Sequence, residues 1–305
     1  MRAALMAAFV TACTLDRQPE VSRAAATDWR PPADSQIPAD SLGASIRRGL
    51  ALIVDTPDSL PAFAPGNITC GNCHLVAGRV AEAAPLVGSH ARFPKYLERS
   101  AAVIGLADRV NYCFTRSLSG SRLSTDSREM QDILAYIAWV SGGVPTGEGG
   151  KVTGAQGLLA MPAGLTGDRA RGIQVYNTKC ASCHLATGEG NATLKPRIPA
   201  LWGPRSFSVG ASMARQSKAA SFIWHNMPFG MGKTLSHQEA FDVAAFITAQ
   251  PRPDSPGKEA DWPAGDAPSD IPYATKGHSA YLPPPVLPRS RPATTIVPAP
   301  PRARQ

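Results

Sequence analysis

The sequence predicts an all-α chain built from two small units in tandem, and three observations carry that prediction. The pentapeptide Cys-x-x-Cys-His occurs twice, as Cys70-Gly-Asn-Cys73-His74 and as Cys180-Ala-Ser-Cys183-His184. Such a segment attaches a c-type haem: its thiols form thioethers with the porphyrin vinyls, and its histidine takes an axial place on the iron. One Cys-x-x-Cys also suits zinc or thiol redox chemistry; two copies, each followed at once by histidine, point to two covalently bound haem c groups. Apolar residues recur at helical spacing around both motifs. Finally, the halves share one order of helix, haem motif, loop, candidate distal ligand and closing helix, an internal repeat of one haem-binding unit.

The bulk properties agree. The 305 residues suffice for two domains of ordinary size plus tails. Apolar residues make up 43% and charged residues 18%, which allows a core, and no run is long enough to span a membrane. A net charge of +8 suits an anionic substrate or an acidic redox partner. The basic residues are scattered, with no Lys/Arg run and interleaved aromatics, so no nucleic-acid partner is expected.

In chain order, residues 1–26 read as an export leader, with Arg2 ahead of a short apolar run. Val10-Thr-Ala-Cys13 is similar to a bacterial lipoprotein cleavage box, which makes Cys13 a candidate lipid anchor to a membrane; Ala24-Ala-Ala26 offers another cut. Haem is attached to such motifs outside the bacterial cytoplasm, so a periplasmic location is expected. An N-terminal cytochrome c-type domain is expected over 41–142. It begins on a helix carrying Ile46, Leu50 and Ile53, and a Gly/Pro-rich loop follows the haem motif from Leu75 to Arg99. A second helix spans Asp108 to Leu118, and a third holds Met130, Ile133, Leu134, Ile137 and Val140 behind the capping pattern Asp126-Ser-Arg-Glu129. Residues 143–166 form a Gly-rich linker. The C-terminal cytochrome c-type domain, 167–250, opens at Asp168 with a helix running into Cys180. It continues with a helix near Ala214–His225 and closes with one from Ser236 to Ala249, led by the capping box Ser236-His-Gln-Glu239. Residues 251–305 are a Pro-rich tail, with disorder expected over 282–305.

Each iron needs a sixth ligand. In the second half Met227, followed by Pro228, is the candidate, with Met213 and Met231 as alternatives; a thioether favours ferrous iron and raises the potential. In the first half Met130 reads as core, and His90 sits in a loop. Of the six cysteines, four attach haem and Cys13 belongs to the leader, so Cys113 stands alone. A lone helical cysteine is commonly a packing residue. On a regular helix, however, Arg109 lies one turn before Cys113, and Arg116 and Ser117 lie one turn after. Guanidiniums beside a thiol favour thiolate, which ligates metal and attacks electrophiles, and they also dock an oxyanion.

At this point the residues resemble the di-haem cytochrome c thiosulfate dehydrogenases (tetrathionate-forming). The likeness runs from about Ser41 to Tyr273. It rests on Thr69-Cys-Gly-Asn-Cys-His-Leu75, Asp108-Arg-Val-Asn-Tyr-Cys-Phe-Thr-Arg-Ser-Leu118 and Glu129-Met-Gln131 in the first half. In the second it rests on Leu201-Trp-Gly-Pro204, Asn226-Met-Pro-Phe-Gly230, Leu235-Ser-His-Gln-Glu239 and Asp261-Trp-Pro263. The resemblance implies His74/Cys113 ligation at an active-site haem and His184/Met227 ligation at an electron-transfer haem. Asn226 stands near the place where some members carry a lysine as an alternative ligand. The implied reaction joins two thiosulfates into tetrathionate and also runs in reverse. The implied acceptor is a small cytochrome c or a high-potential iron–sulfur protein. Two other classes fit the motifs: a non-catalytic di-haem electron-transfer cytochrome, and a haem subunit of a sulfur-oxidising complex.

Overall fold

A computed structural model describes residues 30–147, 152, 155 and 157–281. The expected leader with Cys13, part of the linker and residues 282–305 lie outside the described residues. The architecture is two helical units. The one sheet among the described residues is a hairpin of β1 (Lys95–Leu97) and β2 (Ala102–Ile104), with Lys95 opposite Ile104, at the end of the stretch expected to be loop.

Each unit is built on one helix crossing, made the same way in both. In the first, α1 (Ser41–Val54) is capped by Asp40, which accepts from the Gly43 amide. Helix α2 spans Leu106–Tyr112 and α3 spans Arg128–Val140. The α3 cap is Ser127 rather than Asp126, whose carboxylate is taken by the Ser124 hydroxyl. Helix α1 meets α3 at Gly49, where an added Cβ would lie 2.0 Å from the Asp132 carbonyl oxygen. Beside it Arg48 grips the buried Asp132 carboxylate through Nε and Nη2, at 2.7 and 2.8 Å.

In the second unit α4 (Arg169–Lys179), α5 (Gln216–Asn226) and α6 (His237–Thr248) repeat this arrangement. Gly172 of α4 lies against the Asp242 carbonyl of α6, again at 2.0 Å for an added Cβ, and Arg171 grips the Asp242 carboxylate at 2.6 and 2.9 Å. The repeat is therefore an Arg-Gly step on one helix meeting an aspartate on the other. Backbone cannot retreat as a side-chain tip can, so we expect Gly172→Ala to cost about 3 kcal/mol, the upper end for overpacking. Thermal unfolding of the second unit checks this.

Around these crossings lie two cores. The first gathers Ile46, Ile53, Phe114, Met130, Tyr136 and Val140; the second gathers Tyr176, Ala220, Leu235, Val243 and Ala244. The units are joined by side-chain amides as well as by the linker. Asn67 donates to the Glu189 carbonyl and accepts from the Ala200 amide, each at 3.1 Å, and Asn72 donates to the Arg197 carbonyl at 2.8 Å.

The chain after 250 is more than a tail. Residues 251–281 fold back onto both units: Trp262 meets Arg99 of the first, and Trp262, Ile271 and Tyr273 form a small apolar cluster with Val209 of the second. Two buried or half-buried carboxylates of this segment are spent on ion pairs, Asp261 with Arg116 and Asp270 with Arg215. No helix among the described residues is long and apolar enough to cross a membrane.

Candidate functional site

In the first unit the haem motif enters from a tight turn, Cys70–Asn72, held by the Thr56 hydroxyl, which accepts from the Cys70 amide at 3.1 Å. The His74 Nδ1 is bonded to the Ala84 carbonyl oxygen. That contact fixes the ring and leaves Nε2 free for a metal, the usual arrangement behind a ligating histidine. The Cys113 sulfur lies close enough to the same imidazole for it to favour the thiolate. In the second unit His184 repeats the pattern, with Nδ1 bonded to the Pro199 carbonyl oxygen at 3.1 Å. Both motifs thus present two thiols and a histidine whose outer nitrogen is already occupied, a donor set that fits haem c.

Cys113 stands where α2 widens into a single π turn, Cys113–Ser117. The extra residue per turn shifts everything after it, so Arg116 and Ser117 do not follow the regular helical register expected of them. Arg109, on the regular part, donates from Nη1 to the Cys113 sulfur at 3.2 Å. Burial opposes ionisation of this thiol, but the Arg109 charge and the contact with His74 outweigh it and bring it down to about 6. Burial instead pushes Cys70 up to about 11 and Cys73 up to about 12. Among these three clustered sulfurs, only Cys113 is set to be a thiolate at neutral pH.

A cavity of about 260 Å³ is lined by Arg109, which contacts Cys113, with Arg99, Arg116, Ser117, Arg215, Trp262 and one carboxylate, Glu98, among others. Its arginines differ in what holds them. Arg116 forms a bidentate pair with Asp261 at 2.5 and 2.7 Å, and Tyr273 donates to the same carboxylate. Arg215 is paired with Asp270 at 2.7 Å. Arg99 donates from Nη1 to the Gly210 carbonyl at 2.8 Å and lies over the Trp262 ring, 4.4 Å from its centroid. Neither Arg99 nor Arg109 is in an ion pair among the described residues. The site therefore gathers Cys113, Arg109, Arg116 and Ser117, but the charge of Arg116 is largely offset. Sequence reading missed Arg99, Arg215 and Trp262, which come from the β1–β2 bend, the approach to α5 and the returning segment. No local spacing could have linked them.

The methionine candidates separate by surroundings. Met227, at the C-terminal end of α5, packs on the second core, as do Cys180 and Ala181 of the haem motif. Met213 packs on the first core, and Met231 is 59% exposed. Met130 is fully buried in the first core, and His90 is exposed.

Comparison with known proteins agrees with this organisation. The family model described as "SoxA/TsdA, cytochrome c domain" matches residues 62–146, and that described as "Cytochrome c" matches residues 169–250. The chain is 42% identical over 228 residues to the thiosulfate dehydrogenase of Allochromatium vinosum, covering 73% of this chain and 83% of that one. It is 39% identical over 242 residues to that of Psychrobacter arcticus, covering 79% and 73%. The solved thiosulfate dehydrogenase (TsdBA) from Marichromatium purpuratum superposes with a TM-score of 0.71 at 34% identity. That match covers 76% of this chain and 51% of the other, so the chain spans about half of that protein's length.

Proposed function

Because this chain belongs to the thiosulfate dehydrogenases, oxidoreductases with two cytochrome c domains and two covalently bound haem c groups, we propose that it joins two thiosulfates into tetrathionate at Cys113, in the periplasm. The observation that carries this reading is a cysteine set to be thiolate in contact with Arg109, which lines a cavity where Arg99 and Arg109 make no ion pair among the described residues.

The overall change is two thiosulfate dianions giving one tetrathionate dianion and two electrons. Haem c, when bound, supplies a one-electron acceptor on each unit. His74 and Cys113 would hold the first iron, and His184 and Met227 the second. Bringing two dianions to about 8 Å apart costs roughly 8 kcal/mol at an effective dielectric of about 20. Arg99 and Arg109 offset that repulsion with charges not already spent on protein carboxylates. The Cys113 thiolate forms a sulfur–sulfur bond with the outer sulfur of the first thiosulfate, and two electrons leave. The second thiosulfate attacks that same sulfur, tetrathionate departs, and Cys113 returns as thiolate. Ser117 lines the cavity with a hydroxyl suited to a sulfonate oxygen. From the second unit the electrons pass to an external acceptor, a small cytochrome c or a high-potential iron–sulfur protein. The scheme runs in either direction.

Purified protein given thiosulfate and ferricyanide, with tetrathionate measured as product, tests the reaction; no tetrathionate would dismiss it. Ligation by Met227 has its own test. We expect Met227→Ala to keep both haems, to abolish the near-infrared methionine–ferric band, and to lower one potential by on the order of 0.2 V, part of the roughly 0.8 V that axial ligation spans. A persisting band would transfer the role to Met213 or Met231.

A further inference from the structure

The segment that returns after the second unit does more than cover the first. It carries Asp261 and Asp270, which neutralise two of the four arginines at the cavity, and between them it carries Trp262, which touches a third without neutralising it. The contact with Arg99 is double. The Trp262 amide donates to the Arg99 carbonyl at 2.8 Å, and the Arg99 guanidinium lies over the indole face. Trp262 is 5% exposed and sits at φ 52°, in the left-handed region that a bulky residue adopts only where its surroundings enforce it. A carboxylate in its place would orient Arg99 equally well but would cancel its charge. An aromatic face orients a guanidinium and leaves its N–H edge and net charge for another anion.

We propose that Trp262 is a positioning residue for the sulfur oxyanion: it aims Arg99 into the cavity while keeping that charge free. This rests on reading the cavity as the thiosulfate site. The returning segment thereby sets which arginines are available, and Trp262 acts through Arg99 rather than on the sulfur chemistry.

The test is steady-state thiosulfate oxidation by the full-length, haem-loaded protein and its Trp262→Leu and Trp262→Phe variants. Leucine keeps apolar bulk and loses the ring; phenylalanine keeps a face. Trp262→Leu should raise KM about tenfold, with kcat within about twofold and both haem spectra unchanged, whereas Trp262→Phe should stay within about threefold of the parent KM. Adding Trp262→Leu to Arg99→Gln should raise KM no further, because the two act as one unit. Trp262→Met, a flexible filler of the same space, gives the same contrast if the leucine variant fails to assemble. A parent-like KM in the leucine or methionine variant overturns the proposal, as does an equal rise in Trp262→Phe or an additive rise on Arg99→Gln. If the parent protein itself makes no tetrathionate, the functional reading falls and this inference with it; an active parent with an indifferent Trp262 removes the inference alone.

Discussion

Cys113→Ala should leave a folded protein with two attached haems and essentially no thiosulfate oxidation, at least about a thousandfold below the parent, as for loss of a covalent nucleophile. Removing one partly buried sulfur leaves a small cavity, which costs about 1 kcal/mol and shifts the melting temperature by a few degrees. The loss of activity is thus separable from any loss of fold. The first haem should change its spectrum and rise in potential once an electron-donating thiolate is gone, while the second keeps its signature. Two measurements decide it: tetrathionate produced per haem, and the potential of each centre. Substantial turnover by this variant would return Cys113 to the role of a packing residue and leave a cytochrome that only passes electrons.

Arg109→Gln should lower kcat/KM for thiosulfate about a hundredfold, the scale set by removing one preorganised donor at a site of developing charge. Glutamine keeps a donor, on a shorter stem, but removes the charge that, with His74 and against the effect of burial, brings the Cys113 thiol down to about 6. The variant therefore loses both anion binding and thiolate character, so KM should rise and kcat should fall. Arg109 makes no ion pair among the described residues, so stability should change little. If the kinetics stay at parent values, Arg99 supplies the charge alone.

What could be read in the sequence was whatever is local. Paired haem motifs, the helices through Ile46 and Ile133, and the Ser236 capping box are set by contacts a few residues apart, and they appear within a residue or two of expectation. Asp126 was displaced as a cap because it competes for Ser124, a contact two residues away that a motif does not weigh. Distance in sequence defeated the rest. Asp261 neutralises Arg116 from 145 residues on, so the charge available at the cavity could not be counted from helix spacing. The Arg-Gly steps at 48–49 and 171–172 were visible as letters, but their meaning depends on Asp132 and Asp242 crossing above them.

The amide contacts of Asn67 and Asn72 carry a consequence for speed. Electron hopping falls off steeply with separation, and these side chains grip backbone across the seam between the two centres, one of them from inside the first haem motif itself. On the proposed route from the first centre to the second, loss of either asparagine amide removes a grip across the gap that each electron crosses.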